Sequence, residues 1–269
     1  MGTILKQELR RTRFSMILWS AIAGLIIFFG MLEYPALAQI TGAAGLGAMQ
    51  DAIAAIPVAG QLVFGVYNVN LGDPIGYYIV MYYWVGLIVF THAMYTGASM
   101  VAKETRDKTA EFLFTKPYPR QTIVGAKILA ALVNLLVVGL VTLMLSLVGM
   151  LPITQDPAVL GQILLSGVGL FLTQCVLAAL GFCVSALFKS YRGGVFAAMA
   201  VLILSYCLMF FVQYSGNPLL GWLSPLAFFE ISNTVLNGIN LLFVLLAAVV
   251  IAVCLVLTQR LYRGKEMLG

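Results

Sequence analysis

The sequence has few charged residues. Charged side chains make up 9% of its 269 residues and hydrophobic ones 62%, and the mean hydropathy is +1.02. A soluble globular protein needs more polar residues than this to cover its surface. The composition therefore excludes that class and predicts a multi-pass membrane protein, with room for about six spanning helices and little soluble mass.

Residues that commonly carry chemistry are scarce as well. His92 is the only histidine, so a histidine-based metal cluster is excluded and a histidine-containing triad would depend on this one residue. The four cysteines have no Cys-x-x-Cys spacing, and we interpret them as small apolar residues. No Walker-type phosphate loop is present. We expect no catalytic, metal-binding or cofactor-binding site in this chain.

Apolar runs separated by proline, glycine and charged residues predict six spans. They cover residues 16–33, 78–100, 123–151, 159–188, 195–214 and 239–258. Pro35 is expected to end the first span. A cleaved signal peptide is the alternative for this start, because residues 36–38 resemble a cleavage site, although the apolar run is longer than a usual signal core.

Residues 3–14 precede the first span and place Ile4, Leu5 and Leu9 at helical spacing among basic residues. This pattern predicts a short amphipathic helix in the headgroup region. The alternative is a basic flank that only orients the first span.

Two segments, residues 34–77 and 215–238, are neither apolar enough to cross a membrane nor polar enough for ordinary loops. The first contains several glycines, Pro57 and a Phe64-Gly65 pair, and it predicts one or two short amphipathic helices on the outer surface. The second contains Pro218 and Pro225 and is predicted to be irregular. A cap over the helices, a gate and a substrate contact remain open as roles.

The basic residues predict the orientation. With six spans, all 15 Lys and Arg fall on one side, while the opposite side carries only acids. Those acids are Glu33, Asp51, Asp73, Asp156 and Glu230. Since basic loops stay in the cytoplasm, both termini are predicted to be cytoplasmic. The bases are scattered over four short segments, which argues against a nucleic-acid groove.

The only large polar segment between two apolar runs covers residues 103–127. Residues 105–114 can form a short helix, and Pro117 and Pro119 would end it firmly. A short helix held by a rigid turn between two spans would act as a lever, because force on it must move both spans. The alternative is an ordinary charged loop.

At these residues the sequence resembles ABC-2 type permeases, the membrane subunits of ATP-driven exporters. The matching positions are Glu104, Thr109, Glu111, Leu113, Pro117, Arg120 and Lys127. Two positions depart from the usual pattern: Lys108 stands where glycine is commonest, and Phe114 where leucine is usual. These departures leave the subfamily and the exact partner contacts open.

The resemblance implies an all-α fold with six transmembrane helices and an amino-terminal elbow helix over residues 3–14. It also implies a cytoplasmic coupling segment over residues 101–122, between spans two and three, and short outer-face helices before spans two and six. The coupling segment would dock on a separate ABC ATPase, which binds ATP and Mg²⁺ in place of this chain. Two ATPases and two permeases, identical or related, would form the working unit. The implied coupling residues are Glu104, Thr109, Glu111, Phe112, Leu113, Phe114, Pro117 and Arg120.

Four polar residues at membrane depth are candidates for lining a cavity: His92, Asn134, Gln174 and Gln213. Hydrogen bonds across helices are the simpler interpretation of each. Permeases that resemble this one serve drugs, antimicrobial peptides, lipids, haem-related compounds or ions, and the sequence leaves the substrate undetermined. The small outer segments and the aromatic-rich predicted walls favour an amphiphilic drug or peptide. An ion-coupled secondary transporter and a membrane-embedded enzyme are the alternatives, but both need more ionisable groups near the centre of the membrane than the spans contain.

Overall fold

The computed structural model describes residues 2–107 and 120–264, and these residues form helices without any strand. The helices are α1 (Gly2–Ala54), α2 (Val58–Phe64), α3 (Pro74–Asp107), α4 (Arg120–Met150), α5 (Pro157–Leu187), α6 (Tyr191–Ser215), a 3-10 helix (Pro218–Leu223), α7 (Ile231–Asn237) and α8 (Leu241–Gly264). The all-α fold class is confirmed. Short helices precede α3 and α8, as the sequence predicts.

Within the described ranges, six helices are long and apolar enough to cross a membrane. They are Gly2–Gln39, Pro74–Met100, Thr122–Met150, Pro157–Leu187, Tyr191–Ser215 and Leu241–Leu261. Large apolar side chains on their outer faces are exposed, for example Phe196 at 77% and Ile203 at 63%. Such faces suit lipid rather than water, so the prediction of six spans is confirmed.

The cross-helix contacts fix the directions of the spans. Lys127 near the start of α4 bonds to Glu8 near the start of α1, so these two helices run parallel. Tyr78 near the start of α3 bonds to Ser166 in the first third of α5. Ser185 near the end of α5 bonds to the carbonyl of Ala98, which lies in the last third of α3. Helices α3 and α5 therefore also run parallel. We call the end where α1, α4 and α6 begin the basic end, since exposed Lys6, Arg10 and Lys189 lie there. The acidic end is opposite and carries exposed Glu33, Asp73 and Asp156.

Helix α1 differs from the predicted boundaries. No break separates residues 3–14 from the first span, and the helix passes through Pro35 rather than ending there. A proline removes only one helical hydrogen bond, and a membrane helix tolerates this when neighbouring helices support it. The helix is interrupted instead at Gly42, whose φ of 61° is accessible to glycine at little steric cost.

Helix α5 lies at the centre of the bundle and contacts α3, α4, α6 and α8. Its crossing with α3 is close because glycine occurs on both helices. A Cβ atom at Gly97 would clash with the carbonyl group of Ala178, and one at Gly181 would clash with the carbonyl oxygen of Met94. Small residues that allow two backbones to approach are the usual basis of helix packing in membranes, where no hydrophobic driving force operates between helices.

The segment between α6 and α8 returns deep into the bundle. Ser224 is fully buried, and its hydroxyl donates a hydrogen bond of 3.0 Å to the carbonyl oxygen of Ser205. Ser205 precedes the end of α6 by ten residues, which corresponds to about 15 Å along a helix. Leu226 packs beside Leu202 in the same apolar cluster. The segment predicted as an irregular outer region with a short helix before span six is thus a re-entrant element, and α7 leads the chain back toward the acidic end.

Candidate functional site

The predicted coupling segment connects α3 to α4 at the basic end. Helix α3 continues to Asp107, so Glu104 lies in its last turn, and Arg120 is the first residue of α4. Residues 105–107 therefore belong to α3 rather than to a separate helix. Six of the predicted coupling residues lie outside the described residues: Thr109, Glu111, Phe112, Leu113, Phe114 and Pro117.

A buried ion pair joins the helices that flank this segment to the start of α1. The Lys127 ammonium donates hydrogen bonds to Glu8 Oε1 at 3.2 Å and to the Met100 carbonyl oxygen at 2.9 Å. Lys127 is 2% exposed and Glu8 7%. Apolar residues of α3, α4 and α5, including Met100, Val124 and Phe182, form the neighbouring cluster. One lysine thus connects α1, α3 and α4 where α3 leads into the coupling segment.

A second polar contact lies one turn further along α1. The Asn134 side-chain amide donates hydrogen bonds to Thr12 Oγ1 at 3.1 Å and to the Ala130 carbonyl oxygen at 2.7 Å. Asn134 therefore joins α4 to α1. This contact is of the cross-helix kind that sequence reasoning considered beside a role in a cavity.

His92 and Gln174 are almost fully buried in α3 and α5. His92 Nε2 is 3.2 Å from Thr96 Oγ1 of the same helix, and the ring lies 5.5 Å from the Trp19 ring of α1. The Gln174 amide faces Gly139 of α4. A Cβ atom placed on Gly139 would be in ordinary van der Waals contact with this amide. Within residues 2–107 and 120–264, neither Gln174 amide atom nor His92 Nδ1 has a hydrogen-bond partner. His92, Gln174 and Asn134 are absent from the linings of the two cavities described next.

Two adjoining cavities lie toward the acidic end. The larger, of about 270 Å³, is lined by residues of α2, α3, α6 and α7, among them Tyr83, Gln213 and Glu230. The smaller, of about 40 Å³, lies further along α3 toward the basic end and is lined in part by Tyr82, Tyr206 and Phe229. Both share Tyr83, Gln213, Glu230 and Ile231. Gln213 is thus the one predicted cavity residue that lines either of them.

A family model described as ABC-2 family transporter protein matches residues 2–258, which is nearly the whole chain. The chain belongs to the ABC-2 transporter family. Members of this family are the membrane components of ABC transporters, lack a nucleotide-binding domain of their own and normally work with an ABC ATPase. No curated protein sequence matches significantly.

Sequence reasoning missed two acids of this ABC-2 permease. Glu8 was hidden among the basic residues of the first segment, although it shares a helical face with Leu5, Leu9 and Thr12. An acid on an apolar face is a signal for a buried partner. The sequence around Glu230 predicts only an outer acid, because nothing in it reveals that the segment re-enters the bundle.

Proposed function

We propose that this permease exports an amphiphilic drug or peptide, using ATP hydrolysed by a separate ATPase subunit. Membership of the ABC-2 family over residues 2–258 is the observation that carries the proposal. Two permease copies, identical or related, and two ATPases would form the complex in the cell membrane. ATP and Mg²⁺ would bind to the ATPases, and this chain would bind neither.

The proposed orientation places the basic end in the cytoplasm, where the ATPase is available. The start of α1, the end of α3, the start of α4 and the end of α8 lie at this end. Glu104, Thr109, Glu111, Phe112, Leu113, Phe114, Pro117 and Arg120 would form or support the surface that docks on the ATPase. Closure of the ATPases would push this segment, and the bonds of Lys127 to Glu8 and Met100 support transfer of the displacement to α1 and α3 together.

The first experiment tests the partner and the coupling. The permease is purified from its native membrane, the copurifying ATPase is identified, and hydrolysis is measured in proteoliposomes with Glu104→Gln and Glu111→Gln. Both variants should insert normally but uncouple ATP hydrolysis from export, because the docking surface loses its acids. The matched control is Glu33→Gln, which removes an exposed acid at the opposite end. Normal substrate-stimulated turnover in both coupling variants would contradict the assignment.

An ion-coupled secondary transporter is the second candidate. Ionisable Glu8, Lys127 and Glu230 within the helix bundle favour it, since such carriers use buried charges. Proteoliposomes that contain the permease alone decide between the two. Transport driven by a proton or sodium gradient without ATPase would support the carrier, whereas transport only with ATPase and ATP supports the exporter.

A further inference from the structure

Glu230 lies at the base of the re-entrant segment, where it is half-buried and lines both cavities. The preceding residue, Phe229, packs against Gly169, which is twelve residues into α5 and so about 18 Å from its start. Glu230 also lines the smaller cavity together with Tyr82, eight residues into α3 and so about 12 Å from its start. A carboxylate that lines a cavity between membrane-spanning helices is a candidate functional group.

Capping of α7 does not explain why this residue is a glutamate. The Glu230 carboxylate accepts hydrogen bonds from the Ser232 and Asn233 amides at 3.0 and 2.9 Å. The preferred residues for this position are Ser, Thr, Asp and Asn, which cap a helix without so long a side chain. Other helices in this protein follow that preference, since Asp156 caps α5 and Ser190 caps α6. Besides capping α7, Glu230 lines both cavities.

The surroundings of Glu230 suit a cation with an apolar body. Tyr67 and Tyr83 line the larger cavity, and Tyr82, Tyr83 and Tyr206 line the smaller one. In the part of the chain that the structure describes, Glu230 is the only charged residue in either lining. The buried Tyr206 hydroxyl has no hydrogen-bond partner among the described atoms. Aromatic faces attract cations, and one acid without a competing base selects positive charge.

We propose that these cavities form a binding site for an amphiphilic organic cation, with Glu230 as its counter-ion and Tyr82, Tyr83 and Tyr206 as its aromatic walls. The inference deepens the proposed function by naming the charge of the exported substrate, and its transport part rests on that function. Binding of the cation to the site does not depend on ATP-driven export. Gln213 supplies a side-chain amide at the junction of the two cavities, where it can orient a polar group of the ligand.

Binding is tested with two probes of the same shape and opposite charge. The permease is placed in phosphatidylcholine nanodiscs without ATPase or ATP, and equilibrium dialysis measures binding of tetraphenylphosphonium and of tetraphenylborate above that of empty nanodiscs. The protein should bind the cation saturably and the anion not at all. Glu230→Gln should weaken cation binding by about tenfold or more, because the counter-ion is lost while an oxygen remains for the cap.

Two further variants distinguish a loss of cation binding from a loss of folding. Tyr83→Leu leaves the cap of α7 intact and should weaken binding about threefold through loss of the aromatic face. Asp156→Asn removes an acid that caps another helix at the same end but lines neither cavity, and it should bind as the wild type does. No saturable binding of the cation, equal binding of the anion, or unchanged binding by Glu230→Gln would each overturn the proposal. Because no ATP is present, these results are independent of whether export is ATP-driven.

Discussion

Glu8 and Lys127 show how a polar contact can be both necessary and costly. Two charges removed from water pay a large desolvation penalty, and a single lysine contact compensates for it incompletely. Glu8 Oε2 is buried and has no hydrogen-bond partner among the described atoms. The main consequence for the junction of α1, α3 and α4 is that each charge requires the other. Removing either partner alone leaves a buried charge without its ion-pair partner.

This argument gives a prediction for stability. Glu8→Met and Lys127→Met should each lower the free energy of unfolding by about 3 kcal/mol or more, whereas the double variant should recover most of the loss. Thermal unfolding in detergent micelles measures the effect. Lys6→Met is the control, since Lys6 is exposed on the same helix. If the two single losses simply added in the double variant, the pair would not be coupled.

Gln174 presents the opposite situation at the same scale. Its amide is fully buried against Gly139, and no described atom bonds to it. A buried amide without a partner usually costs about 1–3 kcal/mol. Asn134 avoids this cost by bonding to Thr12 and Ala130. The sequence shows both as polar residues in apolar runs and cannot distinguish the satisfied one from the other.

At the scale of helices, glycine decides the packing of α3 on α5. Gly97 and Gly181 lie on the two helices where each backbone leaves no room for a Cβ atom on the other. Ser185 donates a hydrogen bond to the Ala98 carbonyl beside this contact, and Tyr78 bonds to Ser166 nearer the acidic end. The glycines therefore allow the approach, and the hydroxyl groups set the register.

We predict that Gly97→Leu and Gly181→Leu separate α3 from α5 and destabilise the protein by about 3 kcal/mol or more, because backbone atoms cannot move aside as a flexible side chain can. Gly161→Leu in α5 is the matched control, since nothing lies within 4 Å of a Cβ atom there. Size-exclusion chromatography and thermal unfolding of the three variants provide the measurement. Equal stability of all three would show that the crossing is looser than described.

At the scale of the whole molecule, the distribution of charge predicts how the bundle sits in the membrane. Lys6, Lys189 and Arg192 lie at one end, and Glu33, Asp73 and Asp156 lie at the other. Lys and Arg are usually retained on the cytoplasmic side during insertion, so this distribution predicts that both termini are cytoplasmic. The proposed export direction depends on this orientation, because the ATPase is reached only from the cytoplasm.

Cysteine labelling tests the orientation in intact cells. In a background without the four native cysteines, a membrane-impermeant maleimide should label Asp156→Cys directly and Lys6→Cys only after permeabilisation. Both sites are exposed, so access to the reagent rather than burial decides the result. Labelling of position 6 in intact cells would show the opposite orientation, in which the coupling segment lies outside the cell and cannot reach the ATPase.

The sequence by itself determined the class, the six spans and the family resemblance. Long apolar runs have no alternative to helices in lipid, because every backbone hydrogen bond must be made within the segment. The polar segment before Lys127 could be placed between two spans because its charged side chains belong in water or at the membrane surface. These features depend on local composition, and composition is visible along the chain.

Tertiary structure alone decided which residues meet. The partnership of Glu8 with Lys127, the depth of Glu230 and the tyrosines around it depend on contacts between helices far apart in sequence. Pro35 failed to end α1, whereas Gly42 interrupted it. Hydrophobicity assigns a segment to lipid but gives no register between helices, since lipid is as apolar as the partner face. Register came from glycine contacts and buried hydrogen bonds, and these exist only in the folded bundle.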